Sequence, residues 1–160
     1  MIKKFLLLCV LTAVVGFSFV SCANKKYSDN VGCSDITKAI QDELFKTNEY
    51  AEYPMSEIEY MIDPSLFDSC SVIYSVSSDD ISEIGVFHAP GQNSATLLFE
   101  EANNYIKQTQ GEKREFLRSY MPSELTTLDS ASARRFGNYV VFSFSNDSEK
   151  IFATVEELLK

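Results

Sequence analysis

The sequence predicts an α+β domain, a two-layer sandwich in which a mostly antiparallel, four-stranded sheet carries its helices on one face. Three observations lead to this prediction. Residues 94–120 have helical periodicity, a pattern typical of a β-hairpin lies on each side of them, and both ends of the domain carry amphipathic helical patterns. The resulting order is α-β-β-α-β-β-α. Because hairpins pair neighbouring strands and each helix must cover its apolar stripe, we expect one domain over residues 34–160.

The long central helix is predicted from Ser94 to Tyr120. Asn93 or Ser94 can cap its first turn, and Pro122 ends it. Its apolar residues recur at helical spacing and are Ala95, Leu98, Phe99, Ala102, Tyr105, Ile106, Phe116, Leu117 and Tyr120. Because residues at this spacing share one side of a helix, the stripe is expected to pack on the sheet.

The two hairpins are predicted at 69–88 and 130–145. In the first, alternating residues indicate strands at 69–76 and 81–88, and in the second Gly137-Asn138 supplies residues that tolerate a positive φ in the turn. The terminal helices have apolar stripes at Ile36, Ala39, Ile40 and Leu44 and at Ile151, Phe152, Val155, Leu158 and Leu159. We expect Ser34 or Asp35 to cap the first of them.

The first 21 residues are predicted to be a lipoprotein signal peptide. A basic start precedes an uncharged apolar run at 5–20, and Cys22 follows the small residue Ser21, as at the cleavage point of a bacterial lipoprotein. The alternative is an uncleaved anchor helix, since the run is nearly long enough to span a bilayer. Both interpretations tie the domain to the outer face of the cell membrane, outside the cytoplasm.

Cleavage before Cys22 would place a diacylglycerol on its sulfur, and residues 22–33 would then form the lipidated start and a polar tether. Losing residues 1–21 also lowers the formal net charge from −9 to −11, because two lysines go with them. A chain this acidic, without a basic patch, is not expected to bind nucleic acid.

The acidic residues are concentrated in the interval between Lys46 and Lys107, which contains no Lys or Arg. They are Glu49, Glu52, Glu57, Glu59, Asp63, Asp68, Asp79, Asp80, Glu83, Glu100 and Glu101. Such a face could meet a basic protein or loosely gather Ca²⁺, and the alternative is an ordinary solvated surface. No calcium-loop motif is present, so no tight metal site is predicted.

The candidate contact site is the acidic segment 49–68, which Pro54 and Pro64 interrupt. Its aromatic and acidic side chains are Tyr50, Glu52, Tyr53, Glu57, Glu59 and Tyr60. Exposed tyrosines among carboxylates are common anchors at interfaces, which favours a partner-binding site. The alternative is that the segment wraps the sheet edge and buries its tyrosines.

The residues that catalysis or a cofactor would require are scarce. His88 is the only histidine, and there is no nucleophile elbow, phosphate-binding glycine loop or zinc-protease motif. His88 is therefore interpreted as a hairpin-end residue, and no cofactor is predicted. Cys33 and Cys70 either form a disulfide in the oxidising exterior, or Cys70 is an ordinary buried thiol.

Several motifs resemble the "domain of unknown function 4358" family, small lipoproteins found mostly in clostridia and their relatives. They are Ser82-Glu83-Ile84-Gly85-Val86-Phe87, the amphipathic helix, Tyr120-Met121-Pro122, and Gly137-Asn138-Tyr139-Val140-Val141 before a Ser/Asn/Asp turn. The resemblance covers residues 34–160. It implies a surface lipoprotein and transfers no catalytic residue.

Together these patterns favour a membrane-tethered, non-enzymatic module that binds or assembles with something at the cell surface. Its expected partners are the membrane, through the lipid on Cys22, and a basic protein or a cell-wall component. The alternative is an accessory cell-wall-modifying or hydrolytic enzyme, which would need a catalytic constellation around His88.

Overall fold

A computed structural model describes residues 26–46 and 49–160, which form one sheet and the helices around it. The strands are β1 (Tyr50–Glu52), β2 (Ser69–Ser75), β3 (Glu83–His88), β4 (Ser132–Phe136) and β5 (Tyr139–Phe144). The helices are α1 (Cys33–Leu44), α2 (Met55–Met61), α3 (Gln92–Tyr120), α4 (Leu125–Asp129) and α5 (Ser148–Leu158). The predicted signal peptide and the predicted lipid-attachment residue Cys22 lie outside the described residues.

The sheet has the order β1-β2-β3-β5-β4, and every neighbouring pair is antiparallel. The α+β class and the antiparallel sheet are thus as predicted. The sheet has five strands rather than four, because β1 adds an edge strand within the acidic segment 49–68, where no strand is predicted. Its three residues pair with β2 from Ser75 to Ile73, too short a run to show alternation in the sequence.

The helices cover both faces of the sheet, whereas the sequence analysis placed them on one. Val140 and Phe142 belong to the core under α3, while Tyr139 and Val141 belong to the core under α1 and α5. All six residues of β5 are buried. A strand that is apolar on both sides needs a helical layer on each side, so the fold has three layers.

Helix α3 is the longest element, with 29 residues, and it begins at Gln92 with Gly91 in the N-cap position instead of Asn93 or Ser94. Its buried stripe is Ala95, Leu98, Ala102, Ile106, Thr109 and Leu117. Phe116 and Tyr120, predicted in this stripe, are 56% and 74% exposed. Residues 107–115 include no large apolar side chain, so the helical period cannot be followed through them into the last turns.

No helix within the two described ranges combines the length and the apolar character that crossing a bilayer requires.

Candidate functional site

A cleft of about 480 Å³ lies between α1 and the edge strand β1. Helix α1 contributes polar and charged side chains to one wall, and β1 and β2 contribute the other wall. The charged lining residues are Lys38, Asp42, Lys46 and Glu52, so two ammonium groups balance two carboxylates. A concave, mostly polar site of this size fits a small ligand or a short piece of a polymer.

A chain of hydrogen bonds crosses the floor of this cleft. The hydroxyl of Ser71 donates to Glu52 Oε1 over 2.8 Å, and Thr37 Oγ1 lies 2.8 Å from the same serine oxygen. Thr37 and Ser71 are 3% and 1% exposed, whereas Glu52 is exposed. The buried Ser71 hydroxyl thus gives the exposed Glu52 carboxylate a hydrogen-bond partner, which favours one position of that side chain at the mouth of the cleft.

The three predicted tyrosines do not form one surface. Tyr50 lines the cleft and packs on Phe45, with ring centroids 5.2 Å apart. Tyr53 belongs to the core on the α3 side and stacks on Tyr74 at 4.2 Å. Tyr60 is 93% exposed on α2. The segment therefore wraps the sheet edge and partly buries two of its tyrosines, while the third lies in solvent.

The predicted carboxylates divide in the same way. Glu52 lines the cleft, whereas Glu57 and Glu59 are exposed on α2. Glu59 and Tyr60 border a groove of about 300 Å³ between α2 and α3. The backbone N–H of Asp63, just after α2, donates a hydrogen bond to Glu101 Oε2 on α3 over 2.8 Å. This bond joins the two sides of the groove.

Glu83, which the sequence analysis grouped with the acidic surface, is only 3% exposed. The hydroxyl of Tyr105 donates to its Oε1 over 2.7 Å, and Tyr53 is a second hydrogen-bond partner. Burial raises the pKa of Glu83, because desolvation disfavours the charged form more than these hydrogen bonds favour it. The alternation along β3 was the only signal for this burial, since Glu83 shares a side of the strand with Phe87.

His88 lies at the end of β3, as predicted, and its ring is enclosed by acidic and aromatic groups. Its Nδ1 is 2.7 Å from Asp68 Oδ1, and its Nε2 is 3.6 Å from Asp29 Oδ1. The imidazole packs on the ring of Tyr139 at 4.6 Å. The imidazole therefore has one hydrogen-bond partner, Asp68, whereas the buried Nε2 has none among the described residues, because 3.6 Å exceeds hydrogen-bonding distance.

Cys33, at the start of α1, is close to this histidine but is not set up as a nucleophile. Its thiol is 3% exposed and contacts the hydroxyl of Ser69 at 3.4 Å. Burial raises the pKa of the Cys33 thiol, which disfavours the reactive thiolate. Cys70 is half-buried, and burial raises its pKa to about 11. Both cysteines are free thiols in this structure.

The acidic residues do not converge on a metal site. Among the described residues, no three His, Cys, Asp or Glu side chains are grouped so that they could hold an ion. The Asp63 carboxylate, one candidate for loose cation binding, instead accepts the backbone N–H of Ser65 over 2.8 Å, which lowers the pKa of Asp63.

Comparisons with protein-family models, with curated proteins and with solved structures found no match to this chain. The resemblance to the lipoprotein family therefore stays a prediction.

Proposed function

We propose that this protein is a lipid-anchored, extracytoplasmic binding module, and that the cleft between α1 and β1 holds a cell-wall component. The observation that carries the proposal is the cleft itself, with the Glu52 carboxylate at its mouth accepting a hydrogen bond from the buried Ser71 hydroxyl. Preorganised polar groups in a concave site are characteristic of ligand binding, because the protein does not have to order them when the ligand arrives.

The composition of the cleft favours a ligand with hydroxyl groups and both signs of charge. Lys38 and Lys46 can hold carboxylates, Asp42 and Glu52 can hold amines or hydroxyls, and the half-buried ring of Tyr50 offers a flat apolar surface. A sugar-peptide fragment of a bacterial cell wall presents all of these groups. A uniformly basic protein would instead find two like-charged lysines in this cleft, which disfavours that partner here.

Ligand binding is favoured over catalysis because the two most reactive side chains, Cys33 and His88, are not accessible to a substrate in the cleft. The Cys33 thiol is buried, and in the His88 imidazole Nδ1 is hydrogen-bonded to Asp68 while Nε2 is buried. A general base must reach the substrate proton, and a nucleophile must be accessible and activated. Neither residue lines the cleft.

The test is calorimetric titration of the purified protein with soluble disaccharide-peptide fragments of cell wall. Glu52→Gln keeps an acceptor for Ser71 but removes the charge, and it should weaken binding about tenfold, the equivalent of about 1.4 kcal/mol. Glu100→Gln is the matched control, because Glu100 is exposed on α3 at the opposite face of the sheet, and it should bind like the parent.

Two results would contradict the proposal. Equal affinities for the Glu52→Gln protein and the parent would remove the cleft as the site. Cleaved fragments in the titration cell, detected by mass spectrometry, would favour the hydrolytic alternative.

A further inference from the structure

Residues 27–31, which we call the N-terminal clasp, dock against the folded domain although the sequence assigned them to a free tether. The ring of Tyr27 packs edge-on against Phe136 with centroids 5.7 Å apart. The backbone N–H of Ser28 donates to the carbonyl of Leu159 over 2.8 Å. The clasp therefore joins the turn between β4 and β5 to the end of α5.

The rest of the clasp is held by one tyrosine and two polar side chains. The Tyr139 hydroxyl donates to the carbonyl of Val31 over 2.7 Å and accepts the Val31 N–H over 3.1 Å. Asp29 accepts a hydrogen bond from Asn138 Nδ2 over 3.2 Å and lies beside His88. Because Tyr139 is 1% exposed, the segment that it bonds is part of the packed structure.

Docking of Tyr27 leaves little free chain before it. Only four residues separate Cys22 from Tyr27. Five extended steps of the backbone span at most about 17–18 Å. A lipid on Cys22 would thus hold the docked surface within that distance of the headgroups.

The strand register shows which end of the sheet carries the surface on which the clasp docks. Ser69, His88, Tyr139 and Phe136 are paired across the sheet at the clasp end. At the opposite end, Tyr74 pairs with Glu83, which pairs with Phe144. The turn between β2 and β3 belongs to that far end.

We propose that the clasp fixes the orientation of the domain on its own membrane, with the β4–β5 turn facing the lipid headgroups and the β2–β3 turn pointing away. The inference rests on the anchoring at Cys22 proposed above and adds the surface that faces the bilayer. It also directs the far end of the cleft, where Lys46 and Tyr50 lie, toward the cell wall.

Charges of both signs lie at both ends of the domain. Lys25 and Lys26 precede the clasp, and Arg135 and Lys160 flank its docking surface, Arg135 by donating to the Gly137 carbonyl over 2.7 Å. At the clasp end, Asp29 and Asp68 lie against His88. The far turn instead carries exposed or half-buried Asp79 and Asp80. Lys160 is paired with Glu156 over 3.7 Å, and Lys46 lies at the far end, so the short link to Cys22, rather than net charge, carries the orientation.

The experiment places the full-length, processed protein in nanodiscs that contain an anionic lipid and a lipid with a gadolinium chelate on its headgroup. Mass spectrometry first verifies the lipid on Cys22. Relaxation enhancement of the backbone amides then measures their proximity to the headgroups. The amides of Gly137 and Asn138 should relax at least about tenfold faster than those of Ser78 and Asp79, because strands of five to seven residues at about 3.3 Å per residue separate the two ends.

Two variants release the clasp by different routes. Tyr139→Phe keeps the buried ring and removes both hydrogen bonds to Val31, and Tyr27→Ala removes the contact with Phe136. Each variant should reduce the difference in relaxation enhancement between the two ends to less than about half of the parent value. The reason is that a longer free chain lets the domain turn on the membrane. Tyr120→Phe, in an exposed tyrosine on α3, is the control and should keep the full difference.

The outcomes separate the two proposals. Lipid on Cys22 with equal enhancement at both ends, or with the far turn closer to the headgroups, overturns the orientation alone. If both clasp variants keep the parent's full difference in relaxation enhancement, the clasp does not fix the orientation, and its proposed role is overturned. Absence of lipid on Cys22 overturns the anchoring and the orientation with it.

Discussion

Gly85 is the position where one added methyl group should disturb the fold most directly. It lies in β3 opposite Phe142 of β5, whose ring packs flat on the glycine. A Cβ at position 85 would lie 2.6 Å from Cζ and 2.8 Å from Cδ1 of that ring, and closer still to Cε1. Carbon atoms in favourable contact are about 3.5–4.0 Å apart, so Gly85→Ala requires the ring to move.

The ring has little room to move, because Phe142 is fully buried and contacts three other aromatic rings. Its centroid is 5.2 Å from that of Tyr105, 6.0 Å from Phe87 and 6.2 Å from Phe144. Overpacking of this kind costs about 1–3 kcal/mol, and the reduced entropy of the unfolded chain returns about 0.5–1 kcal/mol. We therefore expect Gly85→Ala to lower the free energy of unfolding by about 1–2 kcal/mol.

Gly111→Ala is the matched control, since it makes the same chemical change in the exposed interior of α3, where a new Cβ meets nothing within 4 Å. It should raise the free energy of unfolding by about 0.5–1 kcal/mol. Urea unfolding followed by circular dichroism measures both. A Gly85→Ala protein as stable as the Gly111→Ala protein would refute the close packing of Phe142 on β3, and addition of Phe142→Leu should recover part of the loss.

Three further predictions concern the buried carboxyl, the lipid and the core. The pKa of Glu83 is raised in the folded state, so Glu83 ionises in the unfolded chain first as pH rises. The free energy of unfolding should therefore fall from about pH 4.3 up to the folded-state pKa. Urea midpoints measured across pH 4–8 should show this decline in the parent and lack it in Glu83→Gln. Cys22→Ala should abolish incorporation of labelled fatty acid, and label retained by the variant would contradict the prediction that Cys22 carries the lipid. Leu98 and Phe152 lie in the cores on opposite faces of the sheet. Leu98→Ala and Phe152→Ala should each lower the free energy of unfolding by about 2–5 kcal/mol, measured by thermal or urea unfolding. No change for one of them would mean that its face is not packed as described.

The sequence predicts the main elements because their periodicity is long enough to be read. Strands β2, β3 and β5 and helices α1, α3 and α5 all lie where the patterns placed them, within a few residues. The prediction of helices on one face is wrong because Val140, Phe142 and Phe144 represent only one side of β5. The intervening Tyr139 and Val141 are equally apolar, and a strand apolar on both sides indicates burial on both faces.

The candidate cleft could not be predicted, because it forms through contacts between distant segments. Ser71 reaches Glu52 only because β1 pairs with β2, and β1 is too short to show a period. Thr37 reaches Ser71 because α1 packs over β2. Tyr50 and Tyr53 lie close together in the sequence, yet they pack on opposite faces of the sheet. In an extended chain, side chains three residues apart point to opposite faces.

The N-terminal clasp shows why a polar segment without periodicity cannot be assigned to a free tether from sequence alone. Ser28 and Val31 are held through their backbone groups, which every residue carries, so their side chains give no signal of docking. Without the clasp, the buried hydroxyl of Tyr139 would lose both of its hydrogen bonds, at a cost of about 1–3 kcal/mol. The folded unit therefore includes Tyr27, and only four residues separate it from the predicted lipid on Cys22.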